Sequence, residues 1–91
     1  MSNFNVTKTI NMNEVSGESN INPPHIFSID FGSNQLAVAL GNGKVLVYKA
    51  NDLRAPLWHI EAHMSRCLQV KLIEGGVVSV GNSDLAVWKS D

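Results

Sequence analysis

The run Gln35-Leu36-Ala37-Val38-Ala39-Leu40, then Gly41-Asn42-Gly43, then Lys44-Val45-Leu46-Val47-Tyr48-Lys49, decides the fold. Two apolar, β-branched segments flank an Asn-Gly pair, the strongest short-range hairpin signal a sequence carries. Asn and Gly both tolerate positive φ, so such a turn follows the right-handed twist of its strands. Apolar residues occupy both faces: Leu36, Val38 and Leu40 on one, Ala37 and Ala39 on the other. A strand that is apolar on both faces is covered on both. The hairpin therefore belongs to the middle of a layered structure.

The same pattern returns further on. Gly76-Val77-Val78-Ser79-Val80, Gly81-Asn82-Ser83 and Asp84-Leu85-Ala86-Val87-Trp88-Lys89 repeat strand, turn and strand. Gly41 and Gly81, Asn42 and Asn82, and Tyr48 and Trp88 are all separated by one constant interval. Phe27-Ser28-Ile29-Asp30-Phe31 before the first hairpin is echoed by Leu68-Gln69-Val70-Lys71-Leu72 before the second. A repeat of about 40 residues that ends in an aromatic strand residue predicts four-stranded propeller blades.

Outward from the two hairpins, even spacing of Phe4, Val6 and Ile10 predicts an edge strand at 5–11. Residues 14–24 read as a polar linker closed by Pro23-Pro24, which blocks both helix and ladder pairing. Strands are expected at 26–31, 35–40, 44–49, 57–61, 67–72, 76–80 and 84–89. No segment holds helical periodicity for the roughly 10 residues a helix needs. The expectation is an all-β chain of two four-stranded antiparallel blades, an incomplete propeller. Residues 1–24 form an edge strand plus linker belonging to the first blade, 25–50 the rest of the first repeat, and 51–91 the second.

A chain of 91 residues with net charge −1, from 7 basic and 8 acidic groups, carries no electrostatic footprint for nucleic acid or anionic lipid. Its longest apolar run, Leu36 to Leu40, is far too short to cross a bilayer. From Met1 to Asn22 the chain is polar and rich in asparagine, with no apolar core of a secretory signal. One cysteine, Cys67, excludes an internal disulfide and fits a reducing compartment. An intracellular, cytoplasmic protein is expected.

Chemistry-bearing patterns are sparse. His59, His63 and Cys67 recur at every fourth position, which would align three metal ligands on a helix. Pro56 upstream and Val70 and Leu72 downstream favour strands instead, where that spacing makes no common face, and no fourth ligand is evident. His59-Ile60-Glu61-Ala62-His63 lacks the zincin order. Gly41-Asn42-Gly43-Lys44 has neither Walker spacing nor a following helix. No Gly-x-Ser-x-Gly elbow is present, and Cys67 reads as a packed thiol. No catalytic residue, metal or cofactor is expected. Trp58 suits strand packing or a partner hot spot.

Glu61-Ala62-His63 precedes Trp88 by nearly the interval at which His25 precedes Tyr48. With the closing Ser-Val-Gly-Asn-Ser-Asp-Leu-Ala-Val-Trp, these resemble the Gly-His to Trp-Asp span of WD repeats over residues 25–91. The segment Ile21-Asn22-Pro23-Pro24-His25-Ile26-Phe27-Ser28, followed by Leu40-Gly41-Asn42-Gly43-Lys44-Val45, is similar to the last two repeats of the WD repeat-containing protein 53-like family. The resemblance implies a hydrogen-bonded tetrad of His, Ser or Thr, Asp and Trp. His63, Asn82 and Trp88 take three of its places, with Asn for Asp, and the hydroxyl place counted back from Asn82 falls on Val78. In the first repeat Tyr48, Asn42 and Val38 take the corresponding places. A weakened network is the expectation.

WD repeats imply a protein-binding scaffold or adaptor, often a substrate receptor for cullin-based ubiquitin ligases. The acidic and Arg residues tied to that docking are replaced here by Lys89 and Asp91. Loop residues Asn42, Met64, Arg66 and Ser83 are the candidates for partner contact, Arg and Met being enriched at interfaces. Two blades cannot close a ring of about 4 to 8. The alternative is a truncated propeller with no independent activity, acting after self-association through its open flanks or with missing blades.

Overall fold

The second turn residue of the first hairpin, Gly43, has φ +89 and lies buried. Its N–H donates to the Leu40 carbonyl at 3.1 Å, and Asn42 Oδ1 accepts from Lys44 N–H at 3.2 Å. Glycine is required here twice over, because a Cβ would also collide with the His63 and Ser65 carbonyls. Positive φ at both turn positions, the signature of a two-residue I′ hairpin, occurs instead one turn earlier, at Ser33 (φ 48) and Asn34 (φ 61). No periodicity marks Ser33-Asn34, since the signal is only that of two small polar residues between apolar runs.

Residues 25–89 are described by the computed structural model. They form seven strands: β1 Ile26–Gly32, β2 Gln35–Leu40, β3 Lys44–Lys49, β4 Trp58–Glu61, β5 Gln69–Ile73, β6 Gly76–Val80 and β7 Leu85–Lys89. All pairings are antiparallel, in one sheet ordered β1-β2-β3-β4 and another ordered β5-β6-β7. The all-β expectation holds, with strand bounds moved by at most two positions. The strand expected at 5–11 and the linker at 14–24 lie outside the described residues.

One grouping is corrected. Counting along the chain placed the strand at 57–61 with the three that follow it. It pairs with β3, in the register Val45↔Ile60 and Val47↔Trp58. The cause is the turn made after Lys49. Asp52 turns the chain back, donating its N–H to the Lys49 carbonyl at 3.0 Å, and Leu57 N–H reaches the Val47 carbonyl at 2.6 Å. The turn at Asp52 and the Leu57–Val47 bond thus set β4 beside β3.

The sheets meet face to face. Ala37, Ala39, Val45 and Val47 of the first, all fully buried, pack with Cys67, Val70 and Val77; Trp58, Ile60, Leu72 and Trp88 close the margins. The alanines let the second sheet approach closely. On the opposite face of the first sheet lie Val38, Leu40, Leu46 and Tyr48. This is the double-sided burial that the apolar hairpin predicts. Side chains of β1 also reach across: Ser28 Oγ accepts from Val70 N–H at 3.3 Å, and Asp30 Oδ2 from Leu72 N–H at 2.6 Å. The free edge of β5 is thus capped by side chains rather than by a strand.

Candidate functional site

Residues 62–68 bridge the sheets, and the site grows from them. Ala62 and His63 both donate N–H to the Gly43 carbonyl at 3.0 Å, and Cys67 N–H donates to the Leu40 carbonyl at 3.0 Å. Leu68 N–H donates to the Val80 carbonyl at 2.7 Å. Held by both hairpins, His63 points its ring into the second sheet, its side chain 2% exposed. There Nε2 lies 2.9 Å from Ser79 Oγ and Nδ1 lies 2.9 Å from Asp84 Oδ2. Trp88 Nε1–H donates to the same Ser79 Oγ at 3.0 Å.

The direction of each bond follows from its donors. Indole nitrogen only donates, so Ser79 Oγ accepts from Trp88 and has its own proton for His63 Nε2. The imidazole then carries its proton on Nδ1 and donates to the Asp84 carboxylate. One neutral tautomer satisfies every group in the chain Trp88–Ser79–His63–Asp84. Ser79, a fully buried polar residue, needs both partners. Gly81 makes the approach feasible, because a Cβ there would strike Asp84 Oδ1 and lie 2.8 Å from His63 Nδ1.

Two of the three residues expected in a tetrad, His63 and Trp88, are therefore joined. The acid is Asp84, not Asn82, and the hydroxyl is Ser79, not Val78. Asn82 instead donates from Nδ2 to Ser65 Oγ at 3.4 Å. Strand register explains the slip. Trp88 pairs across the ladder with Val77, and Tyr48 pairs with Leu36. The path from Val77 to Trp88 is one position shorter than that from Leu36 to Tyr48, so the second hairpin has the tighter connection. With the aromatics superposed, the counterpart of Val38 is Ser79. A shift of one position reverses every side chain of a strand. The first repeat, with Val38 in the hydroxyl place, leaves Tyr48 Oη buried without a hydrogen-bond partner among the described residues. Burial pushes the Tyr48 phenol above its ordinary value.

Ser79 Oγ to Nε2 and Nδ1 to carboxylate is also the connectivity of a nucleophilic triad. Here the oxygen is wholly buried and its acceptor side is taken by Trp88, so no substrate carbonyl reaches it. The chemistry available to this network is bracing. The other candidate ligands lie apart: His59 is exposed on β4 and Cys67 is buried in the core, its thiol pushed up by burial. No cluster of metal-binding side chains occurs among the described residues. No helix among them is long and apolar enough to cross a membrane.

The turns holding Asn42 and Ser83 and the loop holding Met64 and Arg66 converge at one end of the sheets, stitched by the Gly43, Ser65 and Asp84 contacts above. Met64 is fully exposed there. At the other end Asp52 accepts from Arg54 Nε and Nη2, each at 2.9 Å, which holds its carboxyl well below the usual carboxylate range.

A different surface was missed by motif reading. On β5, Val70 and Leu72 turn their N–H groups away from β6, so by alternation Val78 and Val80 face β5, and Val77 and Ser79 face β7. On β7, Ala86 and Trp88 then bond to β6, and Leu85 and Val87 turn their backbone groups outward. No strand among the described residues pairs with that edge. Beside it lies a cleft of about 310 Å³ between the edges of the two sheets, lined by Trp58, His59, Ile60, Trp88 and Lys89.

No protein-family model matches the chain, and no curated protein matches it. Among solved structures it is similar to the computationally designed Ika4 protein, with a TM-score of 0.64 and 20% identity over 71% of this chain and 41% of that one. It is also similar to the computationally designed Ika8 protein, with a TM-score of 0.65 and 19% identity over 75% of this chain and 21% of that one. The chain spans less than half the length of either. At such identities the likeness is one of fold.

Proposed function

We propose that the chain is a non-enzymatic protein-binding module built from two WD-type propeller repeats, working as a scaffold or adaptor by being bound on an open flank. One observation carries this reading. Leu85 and Val87 are 64% and 55% exposed, while their counterparts in the first repeat, Val45 and Val47, are fully buried against the second sheet. The same strand position is thus covered in one repeat and bare in the other. Exposed apolar sheet faces mark sites of association. The Trp88–Ser79–His63–Asp84 chain supports the repeat assignment and offers no accessible nucleophile, which favours binding over catalysis.

Light scattering at micromolar concentration tests the reading. The wild type is expected to associate beyond its 9.9 kDa monomer mass, and Leu85→Lys with Val87→Lys to return it to a folded monomer. A wild type that stays folded and monomeric overturns the open-flank argument.

A further inference from the structure

We infer that Asn42 is a self-modification site that the fold holds closed, and that its isoaspartyl product stops an opened chain from closing again. Asn42-Gly43 is the one place in the sequence where glycine follows asparagine. Glycine shields its backbone nitrogen least, because it has no Cβ. When the Gly43 nitrogen gives up its proton it attacks Asn42 Cγ, and the new N–Cγ bond closes a cyclic imide. The bond from Cγ to the side-chain nitrogen breaks, and that nitrogen takes the proton and leaves as ammonia. Water then opens the ring. Addition at Cγ leaves an aspartyl residue; addition at the main-chain carbonyl leaves an isoaspartyl residue, whose backbone runs through Cβ and Cγ. One water is consumed for each ammonia released, and nothing is oxidised or reduced.

The folded hairpin blocks the first step. Gly43 is buried, and its N–H is bonded to the Leu40 carbonyl at 3.1 Å, which makes that proton harder to remove. The same bond closes the turn Leu40–Gly43, in which Asn42 is the third residue; in the common turns of this kind that residue has ψ of about 0°. The imide ring needs ψ far from that value. Asn42 Oδ1 is itself held by Lys44 N–H at 3.2 Å. Ring closure therefore waits for the turn between β2 and β3 to open, and both strands are largely buried, so such openings are rare. The consequence lies in what Gly43 touches. Its carbonyl accepts N–H from Ala62 and from His63 at 3.0 Å, and the Leu40 carbonyl accepts from Cys67 N–H. The turn thus anchors residues 62–68, which carry His63 into the second sheet. No space is left there, since even a Cβ on Gly43 would collide with the His63 and Ser65 carbonyls. An isoaspartyl residue at 42 lengthens the main chain by a carbon and displaces Gly43 against them. An aspartyl residue keeps the backbone, and its oxygen still accepts from Lys44 N–H. Of the two products only the isoaspartyl one unlocks the loop, so the turn records irreversibly that the chain has been open.

The test incubates the full chain in mildly alkaline buffer, with and without guanidinium chloride. Conversion at each asparagine is followed by peptide mapping and mass spectrometry, with electron-transfer fragmentation to tell isoaspartyl from aspartyl. In guanidinium Asn42 is expected to convert before Asn34, Asn51 and Asn82. In native buffer its rate is expected to fall by about tenfold or more. The isoaspartyl chain is then separated by chromatography, returned to native buffer and challenged with a thiol reagent. Its Cys67 is expected to react about tenfold faster than that of wild type or more, whereas Asn42→Asp regains wild-type protection. Each of four results overturns the inference: another of these asparagines converting first in guanidinium, a native slowing of less than about tenfold, an isoaspartyl chain that shields Cys67 as wild type does, or an Asn42→Asp chain that leaves it as reactive as the isoaspartyl one.

Discussion

Ser79→Ala is the sharpest perturbation of this molecule. The substitution removes one oxygen and leaves the shape of the strand intact, so no cavity beyond that atom is made. It strands two groups at once: Trp88 Nε1–H, now without an acceptor, and His63 Nε2, now without a donor. Each buried polar group left unpaired costs about 1 to 3 kcal/mol. The His63 side chain is 2% exposed, so water cannot replace its partner, whereas Trp88 is only partly buried and recovers some hydration. The sum is about 2 to 4 kcal/mol. A domain of this size holds a total stability of roughly 5 to 14 kcal/mol, and about 4 to 8 °C is lost per kcal/mol. Thermal unfolding followed by circular dichroism, at one protein concentration, should fall by about 10 to 25 °C. Asp84→Asn is the control. That carboxylate is 62% exposed, and an amide oxygen still accepts from His63 Nδ1–H, so a cost below about 1 kcal/mol is expected. Trp88→Phe keeps an aromatic ring and deletes the donor. In a double-mutant cycle with Ser79→Ala it should show about 1 kcal/mol of coupling. A Ser79→Ala protein melting within about 3 °C of wild type would refute the network as a structural brace.

Three further outcomes follow from the same geometry. Tyr48→Phe removes a buried hydroxyl with no described partner, and should leave stability equal or raise it by about 1 kcal/mol; a clear loss in urea unfolding would show that the hydroxyl is bonded. Gly43→Ala, at φ +89 and against two carbonyls, should cost about 2 to 4 kcal/mol, read as a lowered urea midpoint. Cys67, buried with its thiol pushed up from 9.0, should react with a thiol reagent far more slowly in the native chain than in urea. The unfolded thiol ionises first as pH rises, so the native state loses stability above about pH 9; fast native labelling at about pH 8 would contradict its burial.

Local chemistry made most of the strands legible. Alternation and β-branching placed β2 and β3, the echo at 27–31 and 68–72 placed β1 and β5, and Asn-Gly and Gly-Asn-Ser marked two turns. The identity of His63 and Trp88 as partners was also visible in the interval between them. These features depend on a few neighbouring residues or a simple spacing, and so a one-dimensional reading captures them.

Which groups meet was decided elsewhere. Counting by the repeat interval reached Val78 and Asn82, because sequence alone does not reveal that the second hairpin closes with one position fewer. In a sheet that single step turns Val78 outward and Ser79 inward, and the tighter turn leaves Asp84 rather than Asn82 beside His63. β4 likewise alternates as well for either sheet, and the turn at Asp52 delivers it to β3. The bare edge of β7 has no motif at all. Among the described residues β3 has a partner on its outer side and β7 has none. Strand formation is a matter of local preference; register, pairing and exposure are settled by the packing of distant faces, and only the tertiary structure decides them.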